Sequence, residues 1–219
     1  MKGMGVVIAK EWKCFTGSDR GTFILYVVLI LIWSSLLAAR TSDNFSSGPL
    51  WLVFFSIVIT SNFASTVFIS ERFNGALEIF IMSGLSRDAI LFGKIVFITA
   101  ISLIFGGLCV GISVVIEKAV LNNDVLSLSI SDFLLYASAT FFNVAGSAYL
   151  SVRMSNNRLL HIINMFMLGG IVTGYTIVSS IFTTPEIYLL IILNSLALIF
   201  CVMARRLYHT EKIIQPLNM

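Results

Sequence analysis

Charge is scarce in this chain. Only 11% of its 219 residues are Asp, Glu, Lys or Arg, whereas a soluble domain carries about one-quarter. The 14 basic and 11 acidic residues leave a net charge of +3, too little for the phosphate-tracking surface of a nucleic-acid binder. Cysteine is nearly absent as well. Cys14, Cys109 and Cys201 lie far apart with no CxxC spacing, which excludes a disulfide framework and a zinc site and leaves apolar filling as their use. Histidine is confined to His161 and His209, so a histidine metal cluster cannot be built; His161 beside Arg158 reads as interfacial rather than as a ligand. The chain also has no phosphate-binding loop of its own: Gly93-Lys94 is followed by Ile95, and Asp88 stands where the first glycine of that loop is required. Nothing here hydrolyses a nucleotide.

What is present in excess is hydrophobicity, at 58% of residues. A bilayer core needs about 20 apolar residues per helix, and six runs supply them: Thr22–Ala39, Pro49–Ser70, Ile95–Ile116, Phe133–Val152, Leu159–Phe182 and Ile187–Ala204. The runs are continuously apolar, not alternating, which excludes a membrane β-barrel. The reading is an all-α membrane protein of six transmembrane helices forming one domain over residues 1–219. The first run has about twenty residues before it, including Lys10, Glu11 and Lys13, and no small-residue cleavage site after it, so it is expected to stay in place.

Lys and Arg set the orientation. The N-terminal segment, the loop from Glu71 to Lys94, the loop holding Arg153 and Arg158, and the C-terminal segment together hold twelve of the 14 basic residues; Arg40 and Lys118 fall on the other side. The positive-inside rule then places both termini in the cytoplasm of a plasma (inner) membrane. No Asp, Glu, Lys or Arg lies within the six runs. That argues against a proton- or sodium-driven carrier and against intramembrane acid–base chemistry.

Polar but uncharged residues do occur in the runs. Asn62, Asn143, Asn164 and Asn194 fall on four different helices, and Thr173 lies in the fifth. They read either as hydrogen-bonding glue between helices or as the lining of a translocation path. Gly107-xxx-Gly111 and Gly170-xxx-Gly174 are spaced for close helix approach or dimerisation. The fifth run is rich in Gly, Thr and Ser from Gly169 to Ser180 and ends before Pro185. It is either one helix with a loose end or a helix broken near Gly174 whose 171–185 segment turns back from the outer face.

Two cytoplasmic elements stand out. Residues 4–16 have helical periodicity, with Val7 or Ile8, Trp12 and Phe15 on one face and Lys10, Glu11 and Lys13 on or near the other. Either a basic anchor or an amphipathic elbow helix in the interface results, and the amphipathicity favours the elbow. In the 71–94 loop, Leu77, Phe80 and Ile81 recur at helical spacing, Ser83-Gly84 reads as a stop, and Ser86 caps a new helix with Asp88 in its first turn. A short helix held between two spans is a handle for another protein.

The run Glu71-Arg72-x-x-Gly75-Ala76-Leu77-Glu78, followed by Ser83-Gly84-Leu85-Ser86-Arg87 and Gly93-Lys94, resembles the signature loop of type-2 ABC transporter permeases, the membrane subunits of ATP-binding cassette type 2 transporters. Gly84 stands where that family more often has proline. Lys10-Glu11-Trp12-Lys13 resembles its elbow helix. The resemblance implies an exporter permease working as a dimer, either a homodimer or a pair with a paralogous chain, on two copies of an ABC ATP-binding subunit. No cofactor would sit in this chain; ATP and Mg would belong to the partner ATPase. The segment between spans two and three would be the coupling helix. Glu71, Arg72 and Glu78 would make its polar docking contacts and Leu77, Phe80 and Leu85 its apolar ones, with Gly75 and Ser86 completing the motif. The small size without an ectodomain also resembles the haem-exporter membrane subunit of cytochrome c maturation. A passive pore or ATP-independent carrier, and a membrane scaffold that recruits a cytosolic ATPase, are the competing classes.

Overall fold

A computed structural model describes residues 3–17, 20–39, 48–70, 82–121, 130–154, 157–182 and 185–208. Nearly all of these are helical, and no strand occurs among them. The helices are α1 (Met4–Thr16), α2 (Arg20–Ala39), α3 (Gly48–Ala64), α4 (Arg87–Ile116), α5 (Ile130–Arg153), α6 (Asn157–Ile181) and α7 (Pro185–Tyr208). Two of them end in wider π-helical turns, Ser65–Ser70 after α3 and Glu117–Leu121 after α4.

Four stretches are long and apolar enough to cross a bilayer: Arg87–Ala119, Ile130–Arg153, Arg158–Ile181 and Glu186–Tyr208. The apolar parts of α2 and α3, Ile24–Ala38 and Val53–Phe68, are shorter. Large side chains face outward along the bundle, among them Ile24, Leu31, Ile104, Leu108, Phe166, Ile191 and Ile199. A water-soluble monomer rarely exposes so continuous an apolar surface; hydrocarbon solvates it without loss.

α5 is the hub. It packs against α7 and α3 most extensively, and against α4 and α6. Its side chains are small (Ala139, Ala145, Gly146, Ala148), so neighbouring backbones come close. A Cβ added at Gly146 would collide with the Met167 side chain of α6, and one at Gly106 of α4 with the Tyr136 phenol of α5. Of the glycines spaced for close approach in the sequence, Gly107, Gly111 and Gly170 have open space where a Cβ would go, and only Gly174 meets a neighbour among the described residues, Leu189 of α7 at 3.9 Å. α6 runs unbroken past Gly174 to Ile181, which decides between the two readings of that segment in favour of one helix.

α1 covers the expected residues and turns Val7, Ile8 and Phe15 of the expected face inward, but that face is rotated to take in Glu11 instead of Trp12. Val7 and Glu11 point inward, whereas Trp12 is half-exposed. Its last turn joins an aromatic cluster in which Phe15 meets Tyr26 of α2, Phe63 of α3 and Phe105 of α4, and Tyr26 stacks on Phe63 at 4.9 Å. The cluster draws Phe15 inward. Helical geometry carries Glu11, four residues earlier on the same face, with it.

Candidate functional site

The entry to α4 is built as the sequence suggests. Gly84 takes φ +80°, a left-handed conformation open to glycine and closed to proline, whose ring fixes φ near −65°. The turn here is therefore not the proline turn of the look-alike motif. Ser86 sits in an extended conformation, and its hydroxyl accepts from the Ala89 N–H at 3.2 Å, capping α4. Leu85 is half-buried against the core, beside Gly3. Glu71, Arg72, Gly75, Leu77, Glu78 and Phe80 lie outside the described residues.

The first turn of α4 is clamped to the last turn of α7. Arg205 grips Asp88 with both arms of its guanidinium, Nε to Oδ1 at 3.0 Å and Nη2 to Oδ2 at 2.8 Å. Arg87 donates to the Tyr208 carbonyl at 3.4 Å. The fork-on-carboxylate geometry fixes direction as well as distance. Asp88 thus favours the helix N-terminus, as its position predicted, and holds a second helix too.

Two turns further along, α1, α4 and the π turn Ser65–Ser70 meet. Gly93 lets α1 lie directly on α4: a Cβ there would stand 2.9 Å from the Val7 Cβ. Next to it, Lys94 is completely buried. Its Nζ donates to the Val67 carbonyl at 2.9 Å and sits 5.7 Å from the centroid of the Phe68 ring. The charges of Glu11 and Lys10 both act on it, with opposite signs. Glu11 is itself 3% exposed and receives Lys10 Nζ at 3.1 Å. Counting Lys94 as a cytoplasmic topology charge missed this. The signal was there: Ile90, Leu91, Lys94, Ile98, Ile101 and Phe105 form one stripe at helical spacing, and Lys94 stands in its middle.

The five polar residues proposed for a path do not converge. Asn143 is fully buried and donates from Nδ2 to the Thr60 hydroxyl of α3 and, at 3.5 Å, to the Ile57 carbonyl. Beside it Ser56 and Thr140 share a hydrogen bond of 2.6 Å. Asn164 of α6 exchanges hydrogen bonds with Ser147 of α5 at 3.2 and 3.3 Å. Asn194 of α7 donates to Ser138 of α5 at 2.9 Å. Three of the five therefore tie α5 to three different neighbours, each such bond adding roughly 0.6 kcal/mol in a bilayer. Asn62 donates to its own helix at Val58, and Thr173, exposed on α6, to Gly169. Two buried polar atoms, Asn143 Oδ1 and Ser102 Oγ, have no hydrogen-bond partner among the described residues.

At the opposite end of the bundle the charges are acidic. Tyr175 donates to Glu186 at 3.5 Å within the field of Asp132. Among the described residues, no three His, Cys, Asp or Glu side chains are grouped to hold a metal ion. No protein-family model, no curated protein and no solved structure matches this chain.

Proposed function

We propose that the chain is the permease subunit of an ATP-driven exporter, with six spans, both termini cytoplasmic, and the 71–94 loop as the handle for a separate ATPase. The observation that carries this reading is the arrangement at the Lys94 end. There the chain leaving α3 is fastened to α4 through Lys94, and α4 is fastened to α1 at Gly93 and to α7 through Asp88 and Arg205. A push on the loop joining α3 and α4 would move four helices together. α2 runs to 20 residues, and α3, at 17, continues into a six-residue π turn, lengths that support two further spans where the bilayer thins around them. Basic residues gather at this end and acidic ones at the other, in keeping with a cytoplasmic handle. The outward-facing Gly107, Gly111 and Gly170 leave room for a second copy of the chain or a paralogue.

Glu71, Arg72, Gly75, Leu77, Glu78 and Phe80 carry the docking role in this reading. Leu85 and Ser86 instead shape the turn behind it. Asn62 and Thr173, which make no bond across helices among the described residues, are the better candidates for a path between two copies. Affinity purification of the full chain from its native membrane is expected to recover an ATPase in one-to-one ratio. Reversing charge at Glu71→Lys with Glu78→Lys is expected to reduce that recovery by tenfold or more. Full recovery with the double reversal would remove the docking assignment. Efflux that persists with a hydrolysis-dead ATPase would favour a pore instead.

A further inference from the structure

We infer that Lys94 is a latch that holds the turn Ser65–Ser70 in its π-helical register and releases it when α1 shifts. A buried ammonium is expensive, several kcal/mol even after the protein relaxes around it, unless its surroundings compensate. The compensation here comes from two separate elements. One is the π turn, through the Val67 carbonyl at 2.9 Å and the face of Phe68. The other is α1, which is seated on the neighbouring Gly93 and brings the buried Glu11 carboxylate, with its Lys10 partner opposing it, to bear on the ammonium. One charge therefore senses the seat of α1 and the winding of α3 at once.

π turns are rare and gather at functional sites. Converting one to α register rotates everything beyond it by one residue step, about 100°. It also swings the Val67 carbonyl away from the ammonium. While Glu11 stays in place, Lys94 stays buried and donates to that carbonyl, so the wide register is favoured. If α1 lifts off Gly93, the Lys10–Glu11 pair leaves with it, water reaches the ammonium, and the turn is free to tighten. The chain beyond Ser70 then faces a new direction. Gly93 is what makes the coupling close, since any side chain there would meet Val7 and push α1 away. The latch rests on these contacts alone and holds whether or not an ATPase docks on the loop.

Hydrogen exchange on the full chain in lipid nanodiscs tests it, with Lys94→Met, Glu11→Gln and the double variant. The double variant matters because Lys94→Met alone leaves the buried Glu11 carboxylate balanced only by Lys10, whereas the double variant removes the two buried charges together. Amides in residues 65–70 are expected to exchange at least tenfold faster in Lys94→Met and in the double variant. In Glu11→Gln the same amides are expected to change several-fold, and peptides from α5 and α7 not at all. Exchange in 65–70 within twofold of wild type in the double variant would overturn the latch. An equal loss of protection throughout α5 and α7 would overturn it too, by making Lys94 and Glu11 general supports of the bundle.

Discussion

α5 and α6 are built from similar materials and use them in opposite ways. Both carry Gly, Ser, Thr and Asn through their length. α5 is the least apolar of the four long helices, yet 67% of its most apolar stretch is buried, against 17% for α6. On α5, hydroxyls and amides meet neighbours: Ser138 meets Asn194, Thr140 meets Ser56, and Ser147 meets Asn164. On α6, Thr173, Thr176, Ser179 and Ser180 all donate to carbonyls of their own helix. In a bilayer the outside is the apolar side, so polarity marks the centre only where it reaches across to another helix. A polar side chain that can satisfy itself locally is tolerated facing out.

The sharpest way to break this contrast is steric. Gly146→Val puts two methyl groups into the space held by Met167 and, at 3.7 Å, Phe200. Overpacking of this kind is expected to cost about 1–3 kcal/mol. Gly170→Val on α6 adds the same atoms to open space and is expected to leave thermal unfolding in detergent unchanged. If Gly170→Val lowers the midpoint as much as Gly146→Val, α6 is covered in the particle by a second copy, and its exposure belongs to the isolated chain only.

A smaller effect distinguishes the two uses of polar groups. Asn164→Ala removes both hydrogen bonds to the buried Ser147 hydroxyl, at a cost of about 1 kcal/mol given roughly 0.6 kcal/mol per interhelical bond in a bilayer. Thr173→Val removes one bond that α6 makes to itself on an exposed face. The expected change is within about 0.5 kcal/mol. Denaturant titration followed by tryptophan fluorescence compares them. Equal losses would mean that the exposed face of α6 is as structural as the hub.

How far this could be read from sequence depends on the range of the force involved. Local signals spoke clearly: the Ser86 cap, the stop at Gly84, and the bounds of α1 at residues 4 and 16 are set by neighbours within a turn or two. The apolar runs likewise mark the helices, because lipid reads composition directly. What stayed hidden needed a partner from elsewhere in the chain. Glu11 turns inward because Phe15 is drawn into an aromatic cluster built from α2, α3 and α4. Lys94 looks like a surface charge until α1 and the π turn close over it, and nothing in Ser65–Ser70 announces a change of helical register. The asparagines named their own helices but not their targets, so the ties of Asn143, Asn164 and Asn194 between α5 and its neighbours were not legible.

The smallest expected effect lies at the clamp between α4 and α7, where a second comparison is available. Lys94 and Arg205 both hold the start of α4, one completely buried and the other with 56% of its side chain exposed. Water and salt reach Arg205, so its bidentate bridge to Asp88 contributes little despite good geometry. Arg205→Ala is expected to lower the melting midpoint only slightly. Raising ionic strength should shrink that difference, since the screening length falls from about 10 Å at 0.1 M to about 3 Å at 1 M. The buried contact of Lys94 is out of reach of that screening. Melting curves of wild type, Arg205→Ala and the Lys94→Met, Glu11→Gln double variant at low and high salt separate the two cases. The Arg205→Ala difference should fade as salt rises, and the double-variant difference should persist. A salt-insensitive Arg205 difference would mean that the clamp is shielded from solvent in the assembled protein, as it would be beneath a docked partner.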